Sequence, residues 1–176
     1  MKQHNKIKMK DFDISPYISL EEENILIAAG GKKNNNIMVT NDFTFGTLHG
    51  QPVVSIHLAG NYYTRGYVEK KGEFSINLLH DDKTSKDIIK KLQSTSGRDE
   101  DKFDAAGLTV NMINGVPSAE EAKYVLNCKV IYRNKLEKND FFDDYKKTYK
   151  KKYKKSTDYT YVGEIVDIFE ITNEQN

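Results

Sequence analysis

The stretch NIMVTNDFTFGTLHGQPVVSIHL, residues 36–58, decides the fold class because it contains two strand-like runs separated by turn residues. The runs IMVT from Ile37 and VVSIHL from Val53 are rich in β-branched residues, which favour strands. Further runs of this kind are ILIA from Ile25 and FSINLL from Phe74. Short apolar strands closed by turns are typical of a sheet with a filled interior. The sequence therefore predicts a mainly β barrel.

Two short helices are predicted as connections that lie over this barrel. The first, YTRGYVEKKG, begins at Tyr63 and ends at Gly72. The second covers residues 84–93 and carries an apolar face at helical spacing, with Thr84 and Asp87 spaced like a capping box.

The second half of the chain predicts three more strands. These are LTVNMI from Leu108, the long stretch AKYVLNCKVIYRNKL from Ala122, and the final strand YVGEIVDIFEI from Tyr161. No internal repeat or flexible linker interrupts the pattern. A length of 176 residues suits one domain, so we expect residues 1–176 to form a single unit.

Composition argues against nucleic acid and membranes as partners of this chain. The formal net charge of +1 gives no overall field that would attract nucleic acid or an anionic membrane surface. No apolar run approaches the roughly 20 residues that cross a bilayer, and the N-terminal residues lack the apolar core of a signal peptide. We therefore expect a cytoplasmic location.

Cysteine and histidine usage argues against a metal site. The single cysteine, Cys128, lies among apolar strand residues, which predicts a buried structural thiol. The four histidines are scattered without the spacing of metal ligands.

The lysine-rich segment KKTYKKKYKK, residues 146–155, is the strongest compositional anomaly. Aromatic residues four apart, from Phe141 to Tyr153, would form a stripe on a helix, with lysines extending around it. The favoured interpretation is an amphipathic helix packed on the barrel. The alternative is a patch that attracts polyanions or a phosphate-bearing dinucleotide.

Three segments together meet the chemical demands of flavin mononucleotide (FMN). This cofactor requires donors for a dianionic phosphate, polar groups for the edge of the isoalloxazine, and apolar surface for its ring face. Hydroxyls, an amide, aromatic rings and a glycine follow the first strand of the opening stretch. These residues are Thr40, Asn41, Phe43, Thr44, Phe45 and Gly46.

The other two segments are candidates for the phosphate. In GNYYTRG, residues 60–66, Thr64 and Arg65 stand at a predicted helix start, where free amides attract anions. The alternative there is an ordinary helix cap with a surface arginine. In STSGRDEDKF, residues 94–103, Ser96 and Gly97 precede the cations Arg98 and Lys102, which can neutralise a phosphate. The alternative there is a surface loop in which Arg98 pairs with Asp99 or Asp101.

The order of these segments resembles the flavoredoxin-type branch of the flavin reductase family. The resemblance runs over residues 36–168 and is carried by NIMVTNDFTFGT, YYTRGYVEKKGEFSINLL, STSGRDEDKFDAAGLT and YVGEIV. It implies an FMN-binding split β-barrel with a few short helices. It also implies a homodimer with flavin near the subunit interface, reduced by NADPH or NADH.

The resemblance also implies roles for particular residues. Asn77 would support the pocket, and six residues would surround the flavin ring and ribityl chain: Thr40, Asn41, Phe43, Thr44, Phe45 and Gly46. The phosphate end would be held by Tyr63, Thr64, Ser96, Arg98 and Lys102, and Asn61 and Gly97 would also belong to the cofactor-binding residues. Relatives often have two arginines ahead of the Tyr-Thr pair, where this chain has Ala59 and Tyr62. A histidine that often precedes the final GEI strand is also absent from STDYTYV.

These features leave two functions open. In the first, the protein orients a nicotinamide so that its hydride reaches flavin N5, which requires no catalytic acid or base and agrees with the absence of a catalytic dyad. In the second, the protein is an FMN-binding or electron-transfer module that does not react productively with nicotinamides. A weaker third possibility is a polyanion-binding domain that uses residues 146–155.

Overall fold

The computed structural model describes residues 2–13, 24–142, 144–147 and 157–173. The strands, in chain order, are β1 Lys2–Ile7, β2 Ile25–Gly30, β3 Asn35–Thr40, β4 Phe43–Leu48, β5 Gln51–Ala59, β6 Glu73–Leu78, β7 Val110–Ile113, β8 Val116–Ala119, β9 Tyr124–Lys135 and β10 Asp158–Asn173. The α-helices are α1 Tyr63–Lys71, α2 Lys83–Ser94 and α3 Lys102–Ala105, and short 3-10 turns cover Met9–Asp11 and Lys138–Asp140.

One large antiparallel sheet dominates the described residues. Its order is β3-β2-β6-β9-β10-β5-β4, and β1 joins it by pairing with β10. The first half of β10 pairs with β5 and its second half pairs with β1, while β9 lies along its other edge. Strands β7 and β8 form a separate hairpin. The predicted mainly β fold with short helices is confirmed.

Apolar residues cover both faces of strand β2, which lies next to the edge strand β3. Ile25 and Ile27 point into the interior of the sheet with Phe74, whereas Leu26 and Ala28 face α2 and α3. This alternation follows from the two-residue period of a strand. A strand that is buried on both sides fixes the position of its neighbour β3, which forms one wall of the cleft described below.

The predicted helices are confirmed, with one correction. Helix α1 ends at Lys71 because Gly72 adopts a left-handed conformation, with φ 66°, and donates its amide to the Val68 carbonyl. The capping box predicted from Thr84 and Asp87 is wrong. The cap of α2 is Asp82, whose carboxylate accepts from the Ser85 amide at 2.7 Å.

Three strands were not predicted as strands: β1, β4 and β8. The predicted burial of Cys128 is confirmed, and desolvation raises the pKa of its thiol well above the usual value. Most of the lysine-rich segment lies outside the described residues, although Phe141 stacks on Tyr145 at 5.6 Å between ring centres. None of the described helices is long and apolar enough to span a membrane.

Candidate functional site

A cleft of about 380 Å³ opens where three parts of the chain meet. Its walls are β3, the first turn of α1 with the residues before it, and the loop between α2 and α3. The lining residues are Asn36, Met38, Val39, Asn61, Tyr62, Tyr63, Thr64, Leu92, Gln93, Thr95, Ser96, Gly97, Arg98 and Lys102. The cleft therefore brings together the predicted residues Asn61, Tyr63, Thr64, Ser96, Gly97, Arg98 and Lys102. The predicted phosphate candidate Arg65 is not among the lining residues, because its Nε donates to the Gly60 carbonyl at 3.1 Å and its Nη1 pairs with Glu69 at 3.6 Å.

The first turn of α1 forms one end of the cleft. Tyr62 precedes the helix in an extended conformation and supplies no side-chain hydrogen bond to its amides. Backbone N–H groups of a first helical turn lack partners within the helix, so they favour an anion beside them. Thr64 lies in this turn and is buried, and its hydroxyl accepts a hydrogen bond from Asn36 Nδ2 at 2.7 Å.

Lys102 is a buried cation in the wall of the cleft. Its side chain is only 7% exposed, and Nζ donates to the Leu92 carbonyl at 2.7 Å. Burial lowers the pKa of this ammonium. Among the described residues, no carboxylate forms an ion pair with it, because the neighbouring Asp101 caps α3 by accepting from the amides of Phe103 and Asp104. A buried ammonium with one carbonyl partner favours the binding of an anion.

Arg98 reaches from the α2–α3 loop across the cleft to the opposite wall. Its Nη2 donates to the Asn61 carbonyl at 2.7 Å, and its guanidinium carbon lies 5.8 Å from the centre of the Tyr63 ring. In the described part of the chain, the alternative pairing with Asp99 or Asp101 is not formed. The guanidinium is thus held between two residues of the α1 side and remains close to the cleft.

Gly97 allows the two walls to approach each other. A Cβ atom on Gly97 would lie 2.2 Å from Asn36 Oδ1, so a larger residue would push the loop away from β3. Ser96, just before it, accepts from the Arg98 amide at 3.3 Å and bends the loop. The absence of a side chain at residue 97 therefore sets the width of the cleft.

The residues assigned to the flavin ring lie outside this cleft. Thr40 and Asn41 stand at the turn between β3 and β4, where Thr40 Oγ1 accepts from the Asp42 amide. Phe43 is buried in the core and packs edge-on against Phe45. The remaining two residues of the set are exposed on β4, which is an edge strand of the described sheet: Thr44 and Gly46.

Asn77 is fully buried and serves as a link between strands. Its Nδ2 donates to Ser75 Oγ at 2.9 Å, and its Oδ1 accepts from the Ala119 amide at 2.8 Å. It therefore joins β6 to β8 rather than lining the cleft.

Sequence reasoning missed Asn36. Three consecutive asparagines, residues 34–36, favour a turn between strands, but Asn36 belongs to β3. One signal was available: Asn36 is two residues before Met38, so both side chains share a face of the strand. Its burial depends on α1 and the α2–α3 loop, which no local pattern reveals.

Comparison with protein families gave one assignment for most of the chain. The family model described as "Flavin reductase like domain" matches residues 20–175. The chain belongs to this family. Flavin reductase-like domains are flavin-related oxidoreductases, which agrees with the resemblance seen in the sequence. A comparison with curated protein sequences gave no significant match.

Solved structures show the same fold as this flavin reductase-like domain. A flavoredoxin from Methanosarcina acetivorans matches with a TM-score of 0.61 and 22% identity over 87% of this chain and 69% of its own. An FMN-binding domain of a flavin reductases-like enzyme from Shewanella baltica OS155 has a TM-score of 0.66 and 17% identity, and the match covers 96% of this chain and 78% of its own. A split barrel domain from Shewanella frigidimarina NCIMB 400 has a TM-score of 0.62 and 18% identity, and the match covers 83% of this chain and 65% of its own. The predicted split barrel of the flavin reductase family is thus confirmed.

Proposed function

We propose that this flavin reductase-like domain binds FMN with its phosphate in the cleft, and that NADH or NADPH donates hydride to the bound flavin. The observation that carries the proposal is the buried Lys102 ammonium in the cleft wall, with its lowered pKa and a single carbonyl partner among the described residues. A phosphate dianion would supply the missing negative charge.

The residues of the cleft fit a phosphate monoester. Lys102 supplies an ammonium, Arg98 supplies a guanidinium on the opposite side, and the first-turn amides of Tyr63 and Thr64 receive no side-chain cap from Tyr62. Gly97 lets the loop backbone approach β3, because a Cβ there would meet Asn36 Oδ1 at 2.2 Å. Charge-assisted donors from several directions are the usual way in which proteins hold such a group.

The flavin ring would extend from the cleft towards residues 40–46. FMN, when bound, supplies the hydride-accepting ring that the protein itself lacks. The task of this chain would then be to bind, to orient the ring and to exclude water. Thr40 and Asn41 would offer polar groups to the edge of the ring, and the partly buried Phe45 would offer an apolar surface.

We also propose that the protein forms a homodimer that covers this region. Large apolar side chains are exposed on several strands of the sheet, among them Leu48 on β4, Ile131 on β9 and Val166 on β10. Light scattering coupled to size-exclusion chromatography is expected to give about 40 kDa, twice the 20.2 kDa of one chain. A monomer that still binds FMN would show that the pocket needs no partner subunit.

The enzymatic part of the proposal is tested by steady-state oxidation of NADH and of NADPH with added FMN. We expect turnover that depends on both protein and flavin, and a purified protein that is yellow or becomes yellow with stoichiometric FMN. Stoichiometric FMN binding without nicotinamide oxidation would instead assign the chain to the non-catalytic electron-transfer class.

A further inference from the structure

Asn36 contacts both walls of the cleft through one side-chain amide. Its Nδ2 donates to Thr64 Oγ1 on α1 at 2.7 Å. Its Oδ1 faces Gly97 so closely that a Cβ there would lie 2.2 Å away. The side chain is 4% exposed and lines the cleft. A single buried group therefore holds the α1 turn and the α2–α3 loop at a fixed separation.

The hydrogen bond from Asn36 determines what the Thr64 hydroxyl can do. A hydroxyl carries one hydrogen and two lone pairs, so a hydroxyl that accepts from Asn36 keeps its own hydrogen for another acceptor. In a helix that hydrogen usually goes to the carbonyl four residues earlier. Gly60, four residues before Thr64, lies outside α1, which begins at Tyr63, and in the described part of the chain the Thr64 hydroxyl donates to no acceptor. The Thr64 hydrogen is thus available to a ligand in the cleft.

We infer that Asn36 is a positioning residue that holds the Thr64 hydroxyl as a hydrogen-bond donor towards a phosphate monoester in the cleft. The inference rests on the proposed function, because it concerns the same phosphate. It assigns Asn36 no contact with the reacting ring. Its effect is expected on ligands that carry the phosphate and not on the isoalloxazine itself.

A purely structural buried asparagine makes a different prediction. If Asn36 only stabilised the fold, its loss would weaken FMN and riboflavin equally, since riboflavin has the same ring without the phosphate. If Asn36 sets the polarity of Thr64, the two ligands respond differently. The ratio of their dissociation constants separates the two roles.

The decisive substitution is Asn36→Asp, which preserves size and removes the donor. A carboxylate only accepts hydrogen bonds, so it would take the Thr64 hydrogen away from the cleft and add negative charge beside the phosphate. We expect FMN to bind roughly tenfold to a hundredfold more weakly, as for the loss of a charge-assisted contact. Riboflavin binding should change by less than about threefold, because no phosphate is present to be repelled.

Asn5→Asp is a matched control. Asn5 also donates its Nδ2 to a threonine hydroxyl, that of Thr172 at 3.1 Å, but this pair is exposed on β1 and β10, away from the cleft. The control adds the same charge and removes the same kind of hydrogen bond. We expect it to leave both dissociation constants unchanged.

Substitutions at Thr64 test the inference without a new charge. Thr64→Val retains the shape and lacks the hydroxyl, so it should reduce the preference for FMN over riboflavin that Arg98 and Lys102 leave in place, and Thr64→Ser should restore the full preference. Adding Asn36→Ala to Thr64→Val should cost little further FMN affinity, since Asn36 acts through the hydroxyl. Thermal unfolding of each variant separates binding effects from loss of the folded state.

The experiment is the titration of each variant with FMN and with riboflavin, followed by flavin fluorescence. The inference is overturned if the wild type prefers FMN and if the ratio of the riboflavin and FMN dissociation constants is undiminished in Asn36→Asp and in Thr64→Val. If the wild type itself shows no preference for FMN, the proposed phosphate site fails and this inference fails with it.

Discussion

The cleft and the segment of residues 40–46, here called the edge segment, are built in opposite ways. In the cleft, buried polar groups touch across two walls: Asn36 bonds to Thr64, and Gly97 lies against Asn36. In the edge segment, Thr44 and Gly46 lie exposed on the edge strand β4. The difference indicates that a single chain supplies the walls of the proposed phosphate end. The proposed ring end is exposed, and the proposed second subunit would cover it.

Among the substitutions that test this difference, Arg98→Ala is expected to have the largest effect on FMN affinity. A charge-assisted contact to phosphate is worth about 1.5–3 kcal/mol, so FMN binding should weaken by roughly tenfold to somewhat over a hundredfold. Riboflavin should bind almost as before. Lys86→Ala, which removes an exposed cation of α2 that pairs with Asp81, is the control and should alter neither affinity. Equal FMN affinity in Arg98→Ala and wild type would remove Arg98 from the site.

Two glycine substitutions compare the regions directly. Gly97→Ala places a methyl group 2.2 Å from Asn36 Oδ1, so we expect a loss of about 1–3 kcal/mol in the free energy of unfolding and weaker FMN binding. Gly46→Ala meets nothing within 4 Å and should be neutral or stabilising by up to about 1 kcal/mol. Denaturant unfolding measures both. A lower free energy of unfolding in Gly46→Ala, together with an unchanged one in Gly97→Ala, would contradict this comparison.

A smaller effect is expected from pH, through Lys102. Burial lowers its pKa below the ordinary 10.5, so the unfolded chain binds more protons between the two values, and stability of the ligand-free protein rises with pH across that alkaline window. FMN affinity should fall across the same window, because the phosphate prefers the charged ammonium. Lys102→Met should flatten both trends. Titrations with riboflavin, which shares the ring, correct for ionisation of the flavin itself.

Most of the sheet could be predicted because its strands carry their own signal. The β-branched runs at Ile25, Ile37, Val53 and Phe74 correspond to β2, β3, β5 and β6. Strand β1 gives no such signal, since KQHNKI is almost entirely polar and its pairing with β10 is set by the far end of the chain. Strand β4 was interpreted as a loop because its Thr and Gly residues also suit a turn.

The site was only partly predictable for a related reason. Ser96, Gly97, Arg98 and Lys102 are close in sequence, so their common position follows from one loop. Asn36 reaches Thr64 over 28 residues, and that contact depends on how α1 packs against β3. Local patterns carry no information about such packing, which is why the residue between the two walls was missed.

The binding of the FMN phosphate in the cleft is tested most directly by the ratio of the riboflavin and FMN dissociation constants for the unmodified protein. Both are obtained by fluorescence titration at neutral pH and micromolar protein. With Arg98 and Lys102 both contacting the phosphate, FMN should bind at least about tenfold more tightly than riboflavin, at one flavin per chain. Equal dissociation constants, or flavin fluorescence that protein leaves unchanged, would contradict the account.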